Sequence, residues 1–234
     1  MMTMPHAGSN HARPPANAWF DSLSAALQAQ LLLCSEPLHL GRGEMVLRQH
    51  AEAHAFFGLV SGSLNASTLR ADGREAILAV IEPGHWFGEI ALLDGQPRTH
   101  DITALQPSQL WVVSAADFSQ LAQQIDFSAA ISVLLAGRVR ALYGLVEDAT
   151  LRSTPARVAR RLLLLARGDV AGSSDTRRAV PVSHEALAMM LGVTRQTLAQ
   201  ALKVLVAAGA VTLHYRRIEI VCTAQLEALG EAVG

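Results

Sequence analysis

The chain has 234 residues, half of them hydrophobic and 17% charged, with a formal net charge of −1. That composition excludes a disordered or low-complexity chain and leaves room for one large domain or two modest ones. The charge is unevenly placed. Residues 1–150 carry 8 basic and 14 acidic side chains, net −6, whereas residues 151–234 carry 11 and 6, net +5. A basic C-terminal third joined to an acidic body suits a polyanionic partner.

No apolar run approaches the roughly 20 residues that a membrane span needs, so no membrane partner is expected. The opening MMTMPHAGSNHARPPANAW has no apolar h-region, and residues 1–18 read as a flexible tail. Cys34 and Cys222 stand far apart in no metal-type spacing, which fits a reduced, cytoplasmic setting.

After the tail, WFDSLSAALQAQLLLCSE has helical spacing and predicts one or two short helices. From about Leu38 to Val113, short runs such as EMVLR, AFFGLVSG, EAILAVIE and QLWVVS are separated by glycines and turn signals. This texture predicts a compact antiparallel β-structure, a sandwich or barrel-like roll, with a hairpin turning at Asp72-Gly73. Helical texture returns at AADFSQLAQQ and then runs long from Phe127 to about Ala149. Ile131, Leu135, Val139, Leu142, Val146 and Ala149 recur there at steps of four and three. Such a stripe suits packing on its own domain or a two-helix seam, and its length and position between oppositely charged regions favour the seam.

A further helix starts at LRSTPARVARRLLLLAR, with Ser153 or Thr154 as N-cap and Pro155 in the first turn. Beyond the small-residue turn GDVAGSSDTRRA, Ser183 caps a helix facing inward with Leu187, Met190 and Leu191. Gly192 permits the bend, Val193 fills the gap and Thr194 caps the next helix. That second helix turns Leu198, Ala201, Leu202 and Leu205 inward. Arg195, Gln196, Thr197, Ala199, Gln200 and Lys203 are left outward. Arginine pairs bidentately with guanine and glutamine with adenine, so this face suits a major groove. His214, Arg216 and Arg217 lie near the tip of a following hairpin, where phosphates are gripped.

The stretch GHWFGEIALLDGQPRTHDITAL carries the remaining chemistry. Gly88 lets backbone approach a ligand. A helical turn starting at Glu89 would aim the N–H groups of Glu89, Ile90 and Ala91 at an anion. Arg98 offers two parallel donors to phosphate oxygens, and Thr99 a hydroxyl. Glu89 repels a phosphate unless hydroxyl donors engage it, and a ribose supplies those. On these residues alone, a surface ion pair between Glu89 and Arg98 explains the charges at least as well.

FGEIALLDGQPRT closely resembles the phosphate-binding cassette of cyclic-nucleotide-binding domains. With the long helix and helix-turn-helix that follow, residues 20–222 resemble the cyclic AMP receptor protein/FNR family of bacterial transcription regulators. The resemblance implies an α+β fold in four parts. These are the tail, an N-terminal antiparallel β-roll of the cyclic-nucleotide-binding type over 19–125, a long dimerisation helix and hinge over 126–152, and a C-terminal winged helix-turn-helix over 153–234. It implies a homodimer on double-stranded DNA, with RNA polymerase as a further contact and a cyclic nucleotide, cyclic AMP first, as effector. Gly88, Glu89, Arg98 and Thr99 match its ribose-phosphate contacts, and Arg195, Gln196 and Gln200 its base-reading positions. Arg138 matches the partner of the cassette glutamate.

Leu142 and Tyr143 stand where that receptor reads adenine with Thr and Ser, which leaves cyclic di-GMP or no nucleotide as alternatives. Gln196 and Gln200 replace its Glu and Arg, so the preferred operator differs. The FNR branch's N-terminal cluster cysteines are missing. A metal-dependent cupin-like enzyme would use His39, His50, His54, His85 or His100. They lack the close His-x-His spacing of such barrels, and the chain has no P-loop or nucleophile motif, so neither a metal nor an enzyme is expected.

Overall fold

The computed structural model describes residues 18–69, 75–168 and 177–232. The tail before Ala18, the Asp72-Gly73 turn and most of the small-residue stretch after Gly168 lie outside the described residues.

Two short helices open the chain, α1 (Ala18–Ser22) and α2 (Ala25–Leu33), the second capped by Ser24, whose hydroxyl accepts from Leu27 N. Eight strands follow: β1 (Ser35–Leu40), β2 (Met45–Leu47), β3 (Ala55–Ser61), β4 (Leu64–Leu69), β5 (Glu75–Ile81), β6 (Trp86–Phe87), β7 (Asp101–Ala104) and β8 (Ser108–Ser114). They form two antiparallel sheets, ordered β1-β8-β3-β6 and β2-β7-β4-β5. The first strand begins at Ser35, before the apolar texture that marks the others, because its outer residues pair along β8 from Ser35–Val113 to Leu40–Ser108.

The run AFFGLVS is apolar throughout because β3 is covered on both faces. Phe57 and Leu59 point into the roll with Leu64, Ile81, Phe87, Ile102 and Leu110. Phe56 and Val60 point the other way, into a second cluster with Trp19, Phe20, Trp86, Phe118 and Phe127. That cluster is aromatic: Phe20 stacks on Trp86 at 5.8 Å, and Phe56 on the same ring at 5.3 Å. It fastens α1, α2, α4 (Ala115–Ala122) and the start of α5 (Ile125–Leu151) to the β-roll. Inside the roll, α3 (Glu89–Asp94) interrupts the strands between β6 and β7.

The helix α5 has 27 residues and is, by length and composition, apolar enough to cross a membrane. This corrects the expectation that no apolar stretch reaches that length, because the apolar residues weigh enough on average over the helix although Arg138 and Arg140 interrupt the run. Its first turns are instead tied to the β-roll: Phe127 and Ile131 are buried there, and the Trp19 indole donates to Ala130 O at 2.8 Å. Farther along, the predicted stripe loses its cover. Val139, Leu142 and Val146 are 47%, 59% and 62% exposed.

A second lobe contains α6 (Thr154–Arg167), β9 (Ala179–Val180), α7 (His184–Leu191), α8 (Arg195–Ala207), β10 (Val211–His214), β11 (Arg217–Ile220) and α9 (Thr223–Glu231). Its small sheet runs β10-β11-β9. The helix α9 is absent from the sequence expectations. Leu226 inserts it, fully buried, into the core of α6, α7 and α8.

At the junction of α5 and α6, the buried Asp148 carboxylate accepts from Arg152 Nε and Arg160 Nε, both at 2.9 Å. That hydrogen bond raises the Arg160 pKa above its ordinary value against the opposing effect of burial. Arg160 and Arg152 also reach α9, at Glu231 Oε1 (2.9 Å) and Gly230 O (2.7 Å). The lobe further touches the β-roll directly. Val80 of β5 packs on the lobe's core, and Arg177 binds Glu82 through two hydrogen bonds of 2.7 and 3.0 Å. A cleft of about 180 Å³ opens beside this contact, between Leu78, Leu145, Arg157 and Met190.

Candidate effector pocket and nucleic-acid interface

Gly88 ends β6 and caps α3 with φ of 97°, a left-handed value that favours glycine. A Cβ built there would lie 3.1 Å from Arg98 Nη1 and 3.2 Å from Ala55 O. Gly88→Ala therefore meets both backbone strain and crowding of Arg98. We expect it to cost about 1–3 kcal/mol, read as a lower Tm in thermal melting.

Arg98 is buried. Its Nη1 donates to Gly88 O at 2.5 Å and its Nη2 to Ala55 O at 2.7 Å, while Nε, also buried, has no protein acceptor. Burial lowers its pKa from the ordinary value, and the negative charge of Glu89 opposes that shift. The backbone beside it is fixed too: Arg98 N donates to Ala51 O and accepts at its own carbonyl from His50 N, both at 2.8 Å.

Glu89 is fully buried, and the surface ion pair with Arg98 is not formed. Arg138 of α5 reaches across instead, donating through Nη1 to Glu89 Oε1 and through Nη2 to Trp86 O at 2.7 Å. The pairing that the resemblance implied is thus present. The second oxygen, Glu89 Oε2, is buried without a hydrogen-bond donor. A buried carboxylate oxygen with no donor is costly, so it acts as a vacant acceptor. Ala91 is buried, Ile90 is at the surface, and the first-turn N–H groups of Glu89, Ile90 and Ala91 have no partner within α3.

Thr99 is exposed beside Arg98, and its Oγ1 lies 2.7 Å from His100 Nδ1. His100 was considered from sequence only as a metal ligand. Burial pushes its pKa below the ordinary value, helped by the charges of Arg138 and Arg98 and opposed by Asp101. Leu142 and Tyr143 lie one turn beyond Arg138 and face outward, Tyr143 at 72% exposed. They are not brought against the cassette within the single chain. Among the described residues no cluster of His, Cys, Asp and Glu could hold a metal ion.

In the second lobe, Ser183 Oγ accepts from Ala186 N and Thr194 Oγ1 from Thr197 N, each at 3.1 Å, so both helices start on their caps. Gly192 turns between them at φ of 64°. Leu198, Ala201, Leu202 and Leu205 are buried, and Arg195, Gln196, Gln200 and Lys203 are exposed along one face of α8. Thr197 departs from the outward group. It is half-buried, with Oγ1 at 2.8 Å from Thr194 Oγ1.

Two of the expected DNA-contacting side chains have partners within the lobe. Arg195 is paired with Glu185 of α7, and His214 Nε2 is 3.2 Å from Glu219 Oε2. Arg216 turns the hairpin at φ of 53°, next to the exposed Arg217. Tyr215, at the same tip, is 91% exposed and went unremarked in the sequence, although its place between His214 and Arg216 marks it as a tip residue.

Residues 37–125 match the family model for the cyclic nucleotide-binding domain, and residues 156–229 that for the Crp-like helix-turn-helix domain. The CRP-like cAMP-activated global transcriptional regulator of Mycobacterium tuberculosis is 30% identical over 77% of this chain and 80% of that protein. The cyclic AMP receptor protein of Thermus thermophilus is 27% identical over 80% and 84%. The structure of FixK2 from Bradyrhizobium japonicum, at 20% identity, covers 86% of this chain and 99% of its own with a TM-score of 0.73. That of the c-di-GMP responsive global regulator CLP from Xanthomonas campestris, at 22% identity, covers 86% and 100% with a TM-score of 0.71. These two structures speak to the fold alone. The β-roll, long helix and helix-turn-helix, together with the relatives, place the chain in the cyclic AMP receptor protein/FNR family of DNA-binding transcription regulators.

Proposed function

We propose that the chain works as a homodimer whose operator binding is gated by a cyclic nucleotide held between α3, Arg98 and α5. Cyclic AMP is the first choice of effector. The observation that carries this reading is the fully buried Glu89 with its bare Oε2. A carboxylate oxygen kept from water and left without a donor asks for a hydroxyl, and the ribose of a 3′,5′-cyclic nucleotide keeps one free, at its 2′ position. The phosphate then falls to Arg98, whose Nε is also bare, to the first-turn N–H groups of α3 and to Thr99. The named activities of the M. tuberculosis and T. thermophilus relatives agree with this choice.

The effector domain is read as 19–125, the dimerisation helix and hinge as 126–152, and the DNA-binding domain as 153–234. Two-fold symmetry sets the recognition helices on a palindromic operator, with half-sites about one helical turn apart. Arg195, Gln196 and Gln200 read base edges, and Lys203, His214, Arg216 and Arg217 hold phosphates. Arg195 exchanges Glu185 for guanine on docking, a swap that adds discrimination because a wrong base leaves the arginine on its internal partner. Such a dimer acts in the cytoplasm, on the chromosome, with RNA polymerase as a further partner.

A second reading keeps the architecture and changes the effector to cyclic di-GMP or to none, because Leu142 and Tyr143 offer no hydroxyl pair for adenine. Calorimetry of the full chain with cyclic AMP, cyclic GMP and cyclic di-GMP decides. Heat with a mononucleotide supports the first reading. Heat only with the dinucleotide, or with none of the three, replaces it with the second.

A further inference from the structure

Resting on the reading that the cassette holds a cyclic nucleotide phosphate, we propose that His100 is a positioning residue that turns the Thr99 hydroxyl toward that phosphate. The two side chains are already in contact, Thr99 Oγ1 lying 2.7 Å from His100 Nδ1. They sit on backbone that cannot swing away. Arg98 is held to Ala51 and His50 on one side, and the Asp101 carboxylate accepts from Gln49 N at 2.7 Å on the other.

A hydroxyl has one proton to give. If His100 Nδ1 is bare, it competes with the phosphate for the Thr99 proton. If Nδ1 carries a proton, it donates to Thr99 Oγ1, and the threonine O–H is released toward the phosphate oxygen. The state of one imidazole nitrogen thus decides whether Thr99 is a donor to the effector. The bond to Thr99 fixes which of the two ring nitrogens matters.

The surroundings give this arrangement a direction in pH. His100 meets Arg138 from α5, with Arg138 in turn holding Glu89 of α3, and it meets Arg98 and Asp101 from its own segment. The adjoining segment 48–51 adds Arg48 and His50, both exposed. Without an anion, burial and the two arginines favour the neutral ring, against Asp101. A bound phosphate offsets those positive charges and raises the pKa, so binding takes up a proton. The sign follows: affinity is highest below the His100 pKa of the free protein and falls as pH rises through that of the complex.

The experiment is calorimetry of the full chain with cyclic AMP and cyclic GMP at about pH 6 and about pH 8, on wild type, His100→Ala, His100→Asn, Thr99→Val and the Thr99→Val/His100→Ala double variant. Asparagine places an N–H donor near the position of Nδ1 without titrating. We expect His100→Ala to bind about tenfold more weakly at the lower pH and to lose the pH slope. His100→Asn should stay within about threefold of wild type at that pH, also without a slope. The double variant should be no weaker than Thr99→Val alone, because the histidine acts through that hydroxyl. Wild-type affinity and slope in His100→Ala would overturn the inference while leaving the effector reading intact, and so would additive losses in the double variant. No binding by wild type to either nucleotide would overturn both.

Discussion

Arg98→Ala is expected to weaken cyclic AMP binding by at least about a hundredfold and to abolish nucleotide-dependent operator binding. Two charge-assisted hydrogen bonds to phosphate, each about 1.5–3 kcal/mol, give a factor of that size or larger. The structure adds a second loss. In the free protein the guanidinium already donates to Gly88 O and Ala55 O, so alanine removes a donor from one partly buried and one buried carbonyl and lowers stability by roughly 1–3 kcal/mol. Arg98→Lys separates the two effects, since it keeps the charge and loses the planar fork. It should lose nucleotide affinity while melting closer to wild type. Operator affinity and ligand response that survive Arg98→Ala would show that the phosphate is held elsewhere.

The other large effect lies on α5. On the proposed homodimer, Leu142→Lys together with Val146→Lys should leave a monomer in sedimentation and lower operator affinity at least about a hundredfold. Both residues are more than half exposed on the single chain, in line with Ile131 and Leu135, which the β-roll covers. A continuous stripe whose upper part is buried at home and whose lower part is bare suits a second copy of the same helix. A monomer presents one recognition helix and loses the benefit of the second half-site, for which the tether sets a high effective concentration. A double variant that still sediments as a dimer places the seam on another surface.

Much of this was legible in the sequence for a physical reason: the informative residues were close together or periodic. The cassette is contiguous, so Gly88, Glu89, Arg98 and Thr99 could be read as one unit. The helix-turn-helix announces itself through Ser183, Gly192 and Thr194, residues whose backbone and capping preferences are local. What escaped was long-range. Glu82 and Arg177 stand 95 positions apart, and no periodicity joins them. Arg195 looked free because its partner, Glu185, lies on the neighbouring helix, and pairing across a turn depends on the angle between helices. The choice between a surface pair and a ligand site at Glu89 also lay beyond the local pattern. Burial removes the surface pair, and Arg138 of α5, 49 positions away, takes the place of Arg98. The surroundings of His100 were hidden in the same way. The sequence set it aside as a metal ligand on spacing alone, and its neighbours, two arginines and a threonine hydroxyl, come partly from α5.

The helix α9 sets the order in which a nascent chain can become competent. Leu226 completes the core beneath α6, and Gly230 and Glu231 engage Arg152 and Arg160 at the junction of α5 and α6. Until residues 223–231 leave the ribosome, α8 rests on an open core and Arg152 and Arg160 lack their acceptors on α9. The β-roll, whose strands and covering helices are complete by about residue 135, and Arg138, which pairs with the buried Glu89, have by then long been synthesised. The lobe that holds Glu89 and Arg98 can thus form before the core beneath the helix-turn-helix is complete.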